Sequence, residues 1–109
     1  MNKIELKRRT KRFAIDVIKF IEKLPNSRSL NVLSNQLLRS SSSVGANYRS
    51  ACRGKSTADF INKIIIVEEE ADESVYFLEL LKEFNPSFQE RIIELIAEGI
   101  EILKLLLHQ

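Results

Sequence analysis

The chain is poor in residues that break or cross-link a fold. Its 109 residues include three glycines, two prolines and one cysteine, Cys52. So few turn-forming residues exclude a β-rich or loop-rich fold and favour an all-α one. A single cysteine excludes an internal disulfide and a zinc site built from several cysteines, which agrees with a reducing compartment. A chain of this length can build one hydrophobic core, so residues 1–109 are treated as one domain.

Groups that support catalysis, metal binding or membrane insertion are also scarce. The only histidine, His108, is the penultimate residue, where fraying makes a positioned general base implausible. No Glu-x-x-His unit accompanies the acidic run at 68–73, which could at most hold a hard cation weakly. The N-terminus lacks the apolar core of a signal peptide, and apolar runs such as 64–67 and 105–107 are too short to span a bilayer. We therefore expect a cytoplasmic, non-enzymatic protein with no cofactor, no metal site and no membrane segment.

Apolar residues recur at helical spacing in four segments. The first covers about 3–24 and ends before Pro25, because the residue before proline resists the α conformation. The second begins near Ser29 or Asn31, either of which could be its N-cap, and runs to a C-cap at Gly54. Helices of about 20 residues, roughly 30 Å long, joined by short connections favour an antiparallel up-down-up-down four-helix bundle.

The second half of the chain holds the other two helices. Ser56 and Asp59 resemble a capping box and predict a third helix over about 57–83. Asn85 and Pro86 supply an N-cap and a first-turn proline for a fourth helix that reaches about residue 108. That helix is apolar on most of its sides, which a bundle this small cannot bury alone, so subunit contacts through it are predicted.

Four consecutive serines, at 40–43, interrupt the second segment and are followed by Val44 and Gly45. Their composition is that of a flexible linker, but the apolar period continues in phase across them from Leu37 to Val44. On the helical interpretation, small side chains allow a neighbouring backbone to approach closely, and tertiary packing must offset their poor helix propensity.

Charge is divided unequally between the two halves. Residues 1–55 hold 13 Lys/Arg against 3 Asp/Glu, and residues 56–109 hold 4 against 12. On a helical wheel three arginines of the second helix share one face, and Lys55 extends it. Such a surface would bind RNA or DNA through phosphates, with little sequence preference. The candidate contacts are Arg39, Arg49, Arg53 and Lys55 on the second helix and Lys7, Arg8, Lys11 and Arg12 on the first.

An alternative is that the basic helices pair with the acidic third helix, inside the bundle or between subunits, and leave little field outside. Two neighbouring residues of the second helix carry similar alternatives. Tyr48 could stack on a base, although its place on the apolar stripe favours a core residue with its hydroxyl at the rim. Asn47 could be a buried amide that bonds across helices.

The segment that carries these residues resembles a bacterial four-helix bundle family, which includes proteins encoded in intervening sequences of 23S ribosomal RNA genes. The matching motifs are Gln36-Leu-Leu-Arg39-Ser, Ser43-Val-Gly-Ala-Asn47 and Arg53-Gly-Lys-Ser56-x-x-Asp59-Phe60, followed by the acidic stretch. Where many members have Ile-Ala-Glu-Gly after the motif asparagine, this chain has Tyr48-Arg49-Ser50-Ala51, so an arginine replaces an acid.

The resemblance implies a left-handed antiparallel bundle that assembles as a homopentamer around a central channel. Relatives are similar in fold to the accessory variability protein of diversity-generating retroelements, a basic pentamer that binds nucleic acid together with a reverse transcriptase. By that resemblance the basic residues named above are candidate RNA or DNA contacts. A structural homo-oligomer whose true partner is a protein remains the alternative.

Overall fold

The computed structural model of the protein describes residues 2–108, which form an all-helical bundle. The helices are α1 (Lys3–Ile21), α2 (Arg28–Cys52), α3 (Thr57–Phe84) and α4 (Gln89–Leu106), with a 3-10 turn at Pro86–Phe88. Consecutive helices pack on one another and α4 returns to α1, whereas the diagonal pairs α1 with α3 and α2 with α4 make no close backbone contact. This arrangement confirms the predicted antiparallel four-helix bundle.

Serine hydroxyls begin two of the helices. The Ser56 side chain accepts a hydrogen bond from the amide of Asp59 at 3.1 Å, which confirms the predicted start of α3. The predicted start of α2 at Ser29 or Asn31 is wrong, because Ser27 caps that helix and accepts from the amide of Leu30. Ser27 has an extended backbone, so its hydroxyl can reach the free amides of the first turn.

Two helices are shorter than predicted at their C-terminal ends. α1 ends at Ile21 rather than near residue 24, and the next residues form single turns in which the Leu24 amide donates to the Ile21 carbonyl at 3.0 Å. α4 ends at Leu106 rather than near residue 108. In α1 the apolar pattern outlasts the helix because Leu24 still packs against the core after the chain has turned.

The start of α4 also differs from the prediction. Asn85 does not cap it; the carboxamide of Asn85 donates back to the carbonyl of Leu81 at 2.6 Å and is buried. Pro86 opens the 3-10 turn, and the α-helix begins only at Gln89. Proline fits the first turn of a helix, but the three residues Pro86–Phe88 keep the tighter hydrogen-bond pattern of a 3-10 helix.

The serine-rich segment is continuous helix, so the linker interpretation is wrong. Ser40 and Ser41 are fully buried, and the hydroxyl of Ser74 on α3 donates to the hydroxyl of Ser40 at 3.0 Å. The serine hydroxyls also bond to carbonyls of the preceding turn, as Ser42 does to Leu38 at 2.7 Å. Small side chains here therefore bring α2 and α3 close together, as predicted.

The core is a single apolar cluster drawn from all four helices. Its largest buried side chains are Tyr48, Phe13, Phe20, Leu6, Leu37 and Leu78. Large apolar side chains nevertheless remain exposed on α4 and at its C-cap, where Ile93 is 51%, Ile100 41% and Leu107 69% exposed. Subunit contacts through α4 stay a prediction, and these side chains are the surface available for them.

Candidate nucleic-acid interface

The close crossing of α1 and α2 brings most of the predicted basic residues to one end of the bundle. Gly45 is set against the α1 backbone, where a Cβ atom would lie 3.5 Å from the carbonyl carbon of Thr10 and 3.6 Å from the amide nitrogen of Lys11. Because the two helices are antiparallel, Arg49, one turn beyond Gly45, stands level with Lys7, one turn before Lys11. The last turns of α2 therefore form one surface with Lys7 and Lys11, whereas Arg8 and Arg12 line a cleft with Glu98 of α4.

The four predicted residues of α1 differ in whether they form ion pairs with carboxylates. Arg8 pairs with Glu5 and Arg12 with Asp16, one turn away in the same helix, and the two arginine side chains remain 73% and 63% exposed. Within residues 2–108, neither Lys7 nor Lys11 forms an ion pair with a carboxylate. Exposed pairs within one helix contribute little free energy, so phosphate oxygens can replace their carboxylates.

The C-terminal end of α2 carries three exposed cations. Arg49, Arg53 and Lys55 are all solvent-exposed, and Arg53 is the C-cap residue of the helix. No carboxylate in the described part of the chain forms an ion pair with any of the three. The partial negative charge of a helix C-terminus stabilises cations placed there, which accounts for their location without an acidic partner.

Arg39 lies apart from the other predicted residues. Its guanidinium reaches across to α3, where it bonds to Glu70 at 3.0 Å and also contacts Glu73. Arg39 thus pairs a basic helix with the acidic α3 inside one subunit, which is the alternative considered for the sequence. This pairing does not extend to Arg49, Arg53 or Lys55.

Two basic residues of α1, Lys3 and Arg9, were not among the predicted contacts, and only Lys3 lies near this surface. The ammonium of Lys3 lies 5.0 Å from the centre of the Phe60 ring, and both residues line a cleft shared with Lys55. Because Lys3 precedes Lys7 by one helical turn, its position in the sequence could have placed it on the same face. Arg9 faces α4 instead, where hydrogen bonds of 2.7 and 2.9 Å to Glu98 raise the pKa of its guanidinium.

Tyr48 and Asn47 do not take part in the surface. Tyr48 is fully buried, and burial together with a hydrogen bond to Cys52 raises the pKa of its phenol. The ring therefore belongs to the core, as favoured above, although its hydroxyl is not at an exposed rim. The Asn47 amide donates to the carbonyl of Ser43 in its own helix at 2.9 Å, so the prediction of a bond across helices is wrong.

Other kinds of site receive no support from the geometry. His108 is exposed beyond the end of α4. Between residues 2 and 108 no three His, Cys, Asp or Glu side chains come together in a way that could hold a metal ion. Over the same residues, no helix combines the length and apolar character that crossing a membrane requires.

The arrangement of helices and the sequence both have counterparts among known proteins. A crystal structure of a protein with unknown function from the S23 ribosomal protein family of Bacteroides thetaiotaomicron VPI-5482 superposes with a TM-score of 0.86 and 38% identity, covering 94% of this chain and 95% of that one. No curated protein matches the chain. The sequence profile of the family described as 23S rRNA-intervening sequence protein matches residues 2–108. The chain therefore belongs to the 23S rRNA-intervening sequence protein family.

Proposed function

We propose that this protein is a non-enzymatic, self-associating bundle that binds RNA or other nucleic acid through phosphate contacts at the shared end of α1 and α2. The observation that carries the proposal is the set of exposed cations at the end of α2, Arg49, Arg53 and Lys55, which no carboxylate of the described chain neutralises. We name these three residues, together with Lys7, Arg8, Lys11 and Arg12 of α1, the basic end.

The basic end has the chemistry that a phosphate backbone requires. Arginine forks match phosphate oxygens bidentately, and lysines add point charges that need no fixed geometry. Lys7 and Lys11 are one helical turn apart, about 6 Å, so several phosphates of one strand can be contacted in succession. Contacts of this kind position a strand without reading its bases, so we expect little sequence preference.

Self-association is the second part of the proposal. The resemblance noted above implies a homopentamer, and exposed isoleucines on α3 and α4 provide apolar surface for subunit contacts. In a ring, each copy would add its own basic end, and simultaneous contacts along one strand would raise the overall affinity without any new type of contact.

The test is a fluorescence-anisotropy titration with a labelled ribosomal RNA fragment and a DNA of the same sequence and length. We expect binding that weakens steeply with salt, because each neutralised phosphate of a single strand contributes a slope of about −0.7 in log K against log salt. The variant Arg49→Glu with Arg53→Glu should bind much more weakly and with a shallower slope.

A matched control separates the basic end from net charge. Lys19→Glu with Lys23→Glu changes the net charge equally, and both lysines are exposed, Lys19 in the last turn of α1 and Lys23 just beyond it, about 18 Å or more from Lys7. The control should retain most of the affinity. If both double variants weaken binding to the same extent, the interaction is non-specific charge attraction and the basic end is not the site.

The alternative function is a structural oligomer whose partner is a protein. The pairing of Arg39 with Glu70 and Glu73 favours it, because it shows that basic and acidic helices of this chain can satisfy one another. A well-formed oligomer that fails to bind RNA or DNA even at low salt would support this alternative and refute nucleic-acid binding.

A further inference from the structure

A cleft opens beside the basic end, where the start of α1, the end of α2 and the start of α3 meet. Its walls include Lys3, Cys52, Lys55 and Phe60, and it encloses about 310 Å³. This volume lies within the range of about 300–1,000 Å³ that is typical of small-ligand sites. Because Lys55 belongs to both the cleft and the basic end, a group bound at one is within reach of the other.

Phe60 is an aromatic surface that the start of α3 holds in this cleft. Its amide donates to the Ser56 carbonyl at 3.1 Å in the first turn of the helix. Its side chain packs against the core but stays partly exposed. Gly54 lets the preceding connection lie close by, since a Cβ atom there would be 3.3 Å from the Phe60 amide nitrogen. The ring is therefore fixed in place and accessible from the cleft.

A cation already covers one face of this ring. The Lys3 ammonium lies 5.0 Å from the centre of the Phe60 ring, which is a cation–π distance. At an exposed site such a contact changes an equilibrium by only about two- to fivefold. A nucleobase stacked on an aromatic side chain contributes about five- to 150-fold. A base can therefore displace Lys3 from the ring.

The two lysines of the cleft are available for a phosphate. Within residues 2–108, neither Lys3 nor Lys55 forms an ion pair with a carboxylate. None of the described residues that line the cleft is acidic. Lysines bind phosphates as point charges, so a displaced ammonium can follow the anion beside the base. An aromatic ring and two cations together match the base and the phosphate of one nucleotide.

We infer that the cleft takes one unpaired base of the bound strand, stacked on Phe60, with the adjacent phosphate between Lys3 and Lys55. The inference rests on the nucleic-acid binding proposed above and specifies a single strand as the ligand, because a base in a duplex must first lose its pairing and stacking. Lys3, Lys7 and Lys11 follow one another at intervals of one helical turn. A strand that contacts this row of lysines leads into the cleft.

The test compares a labelled single-stranded RNA with a duplex of the same sequence by fluorescence anisotropy. Phe60→Leu keeps an apolar side chain for packing but removes the ring. It should weaken single-strand binding by about tenfold and leave duplex binding and the salt slope nearly unchanged. Phe60→Tyr keeps the ring and should bind like the wild type. Phe84→Leu is the matched control and should bind normally, because Phe84 is 66% exposed at the other end of α3, about 36 Å away.

A second measurement does not depend on the leucine variant. The chain contains no tryptophan, so Phe60→Trp places a single indole in the cleft. The single strand should quench its fluorescence, because a stacked base lies directly on the ring, and the duplex should quench it much less. An indole signal that a saturating single strand leaves unchanged refutes stacking.

The outcomes separate this inference from the proposed function. If the wild type binds the single strand and Phe60→Leu binds it equally well, stacking in the cleft is refuted and phosphate binding at the basic end stands. An equal loss on the single strand and the duplex, or the same loss in Phe84→Leu, also refutes stacking, because such a loss is not specific to an unpaired base at this ring. A wild type that binds neither RNA at low salt refutes both proposals.

Discussion

We expect alanine to be tolerated at Gly45 but not at Gly99, where neighbouring side chains leave too little space for a Cβ atom. Both glycines lie inside helices. No residue from 2 to 108, glycine or otherwise, has a positive φ, so neither glycine is needed for backbone conformation. A Cβ atom on Gly99 would lie 2.7 Å from a methyl carbon of Val75 and 3.6 Å from the Phe13 ring. On Gly45 the nearest heavy atom would be the Thr10 hydroxyl oxygen at 3.4 Å, an ordinary contact distance.

The magnitudes follow from two opposing terms. Replacing a helical glycine by alanine stabilises a helix by about 1 kcal/mol. Overpacking a core costs about 1–3 kcal/mol, and Val75 cannot easily turn its methyl away because a β-branched side chain has one strongly preferred rotamer in a helix. We therefore expect Gly45→Ala to stabilise the protein by about 0.5–1 kcal/mol. Gly99→Ala should destabilise it by roughly 1 kcal/mol, which leaves a difference of about 2 kcal/mol between the variants.

Urea denaturation at one fixed protein concentration would measure both changes, since the stability of an oligomer depends on concentration. Val75→Ala provides an internal check, because it removes the methyl groups that the new Cβ atom would meet. The cost of Gly99→Ala should become smaller in the Val75→Ala background. The reasoning is refuted if Gly99→Ala is as stable as Gly45→Ala, or if its cost is the same with and without the Val75 side chain.

Two further predictions concern ionisable groups. Because burial raises the pKa of Tyr48 in the folded state, the unfolded chain loses its phenol proton first, and the free energy of unfolding should fall above about pH 10 by up to 1.4 kcal/mol per pH unit. In a Tyr76→Phe background, ultraviolet absorbance reports Tyr48 alone, and its ionisation should coincide with unfolding seen by circular dichroism; ionisation of the folded protein would contradict its burial. Arg39→Ala should cost about 1 kcal/mol or less in low salt, through lost contacts to Glu70 and Glu73, and less still in 1 M NaCl. A cost in urea denaturation that is unchanged by salt would assign the effect to packing.

Helix content was predictable because the apolar period is unbroken within each segment. The hardest case was α2, where composition suggested a linker and the phase from Leu37 to Val44 suggested a helix. The apolar period predicted the structure of this segment correctly and its composition did not. Ser40 and Ser41 are buried against α3, and tertiary packing offsets their poor helix propensity. Helix ends were less predictable, since Ser27, Ser29 and Asn31 are all acceptable caps and only the path of the chain selects one.

The surface of α2 could be predicted only in part. A helical wheel places Arg39 beside Arg49 and Arg53, because it gives only the direction of each side chain around one helix. It does not show which residues of neighbouring helices each arginine meets. The acidic turns of α3 stand beside the middle of α2 and engage Arg39, whereas the end of α2 faces the start of α1, which is also basic. Which arginine is neutralised therefore depends on how two helices are aligned along their lengths, and that alignment follows from packing of small residues.

The contact between α1 and α4 has a consequence for how the bundle opens. It is the least extensive of the four helix pairs and the only one that joins the two ends of the described chain. Its edge holds charge pairs, Arg9 with Glu98 and Arg91 with Asp16, which solvent can replace. The other three pairs are close in sequence and form with a smaller loss of chain entropy. We therefore expect local opening to start along α1 and α4, and the α2–α3 hairpin, joined through buried serines, to be the last part of the molecule to lose its structure.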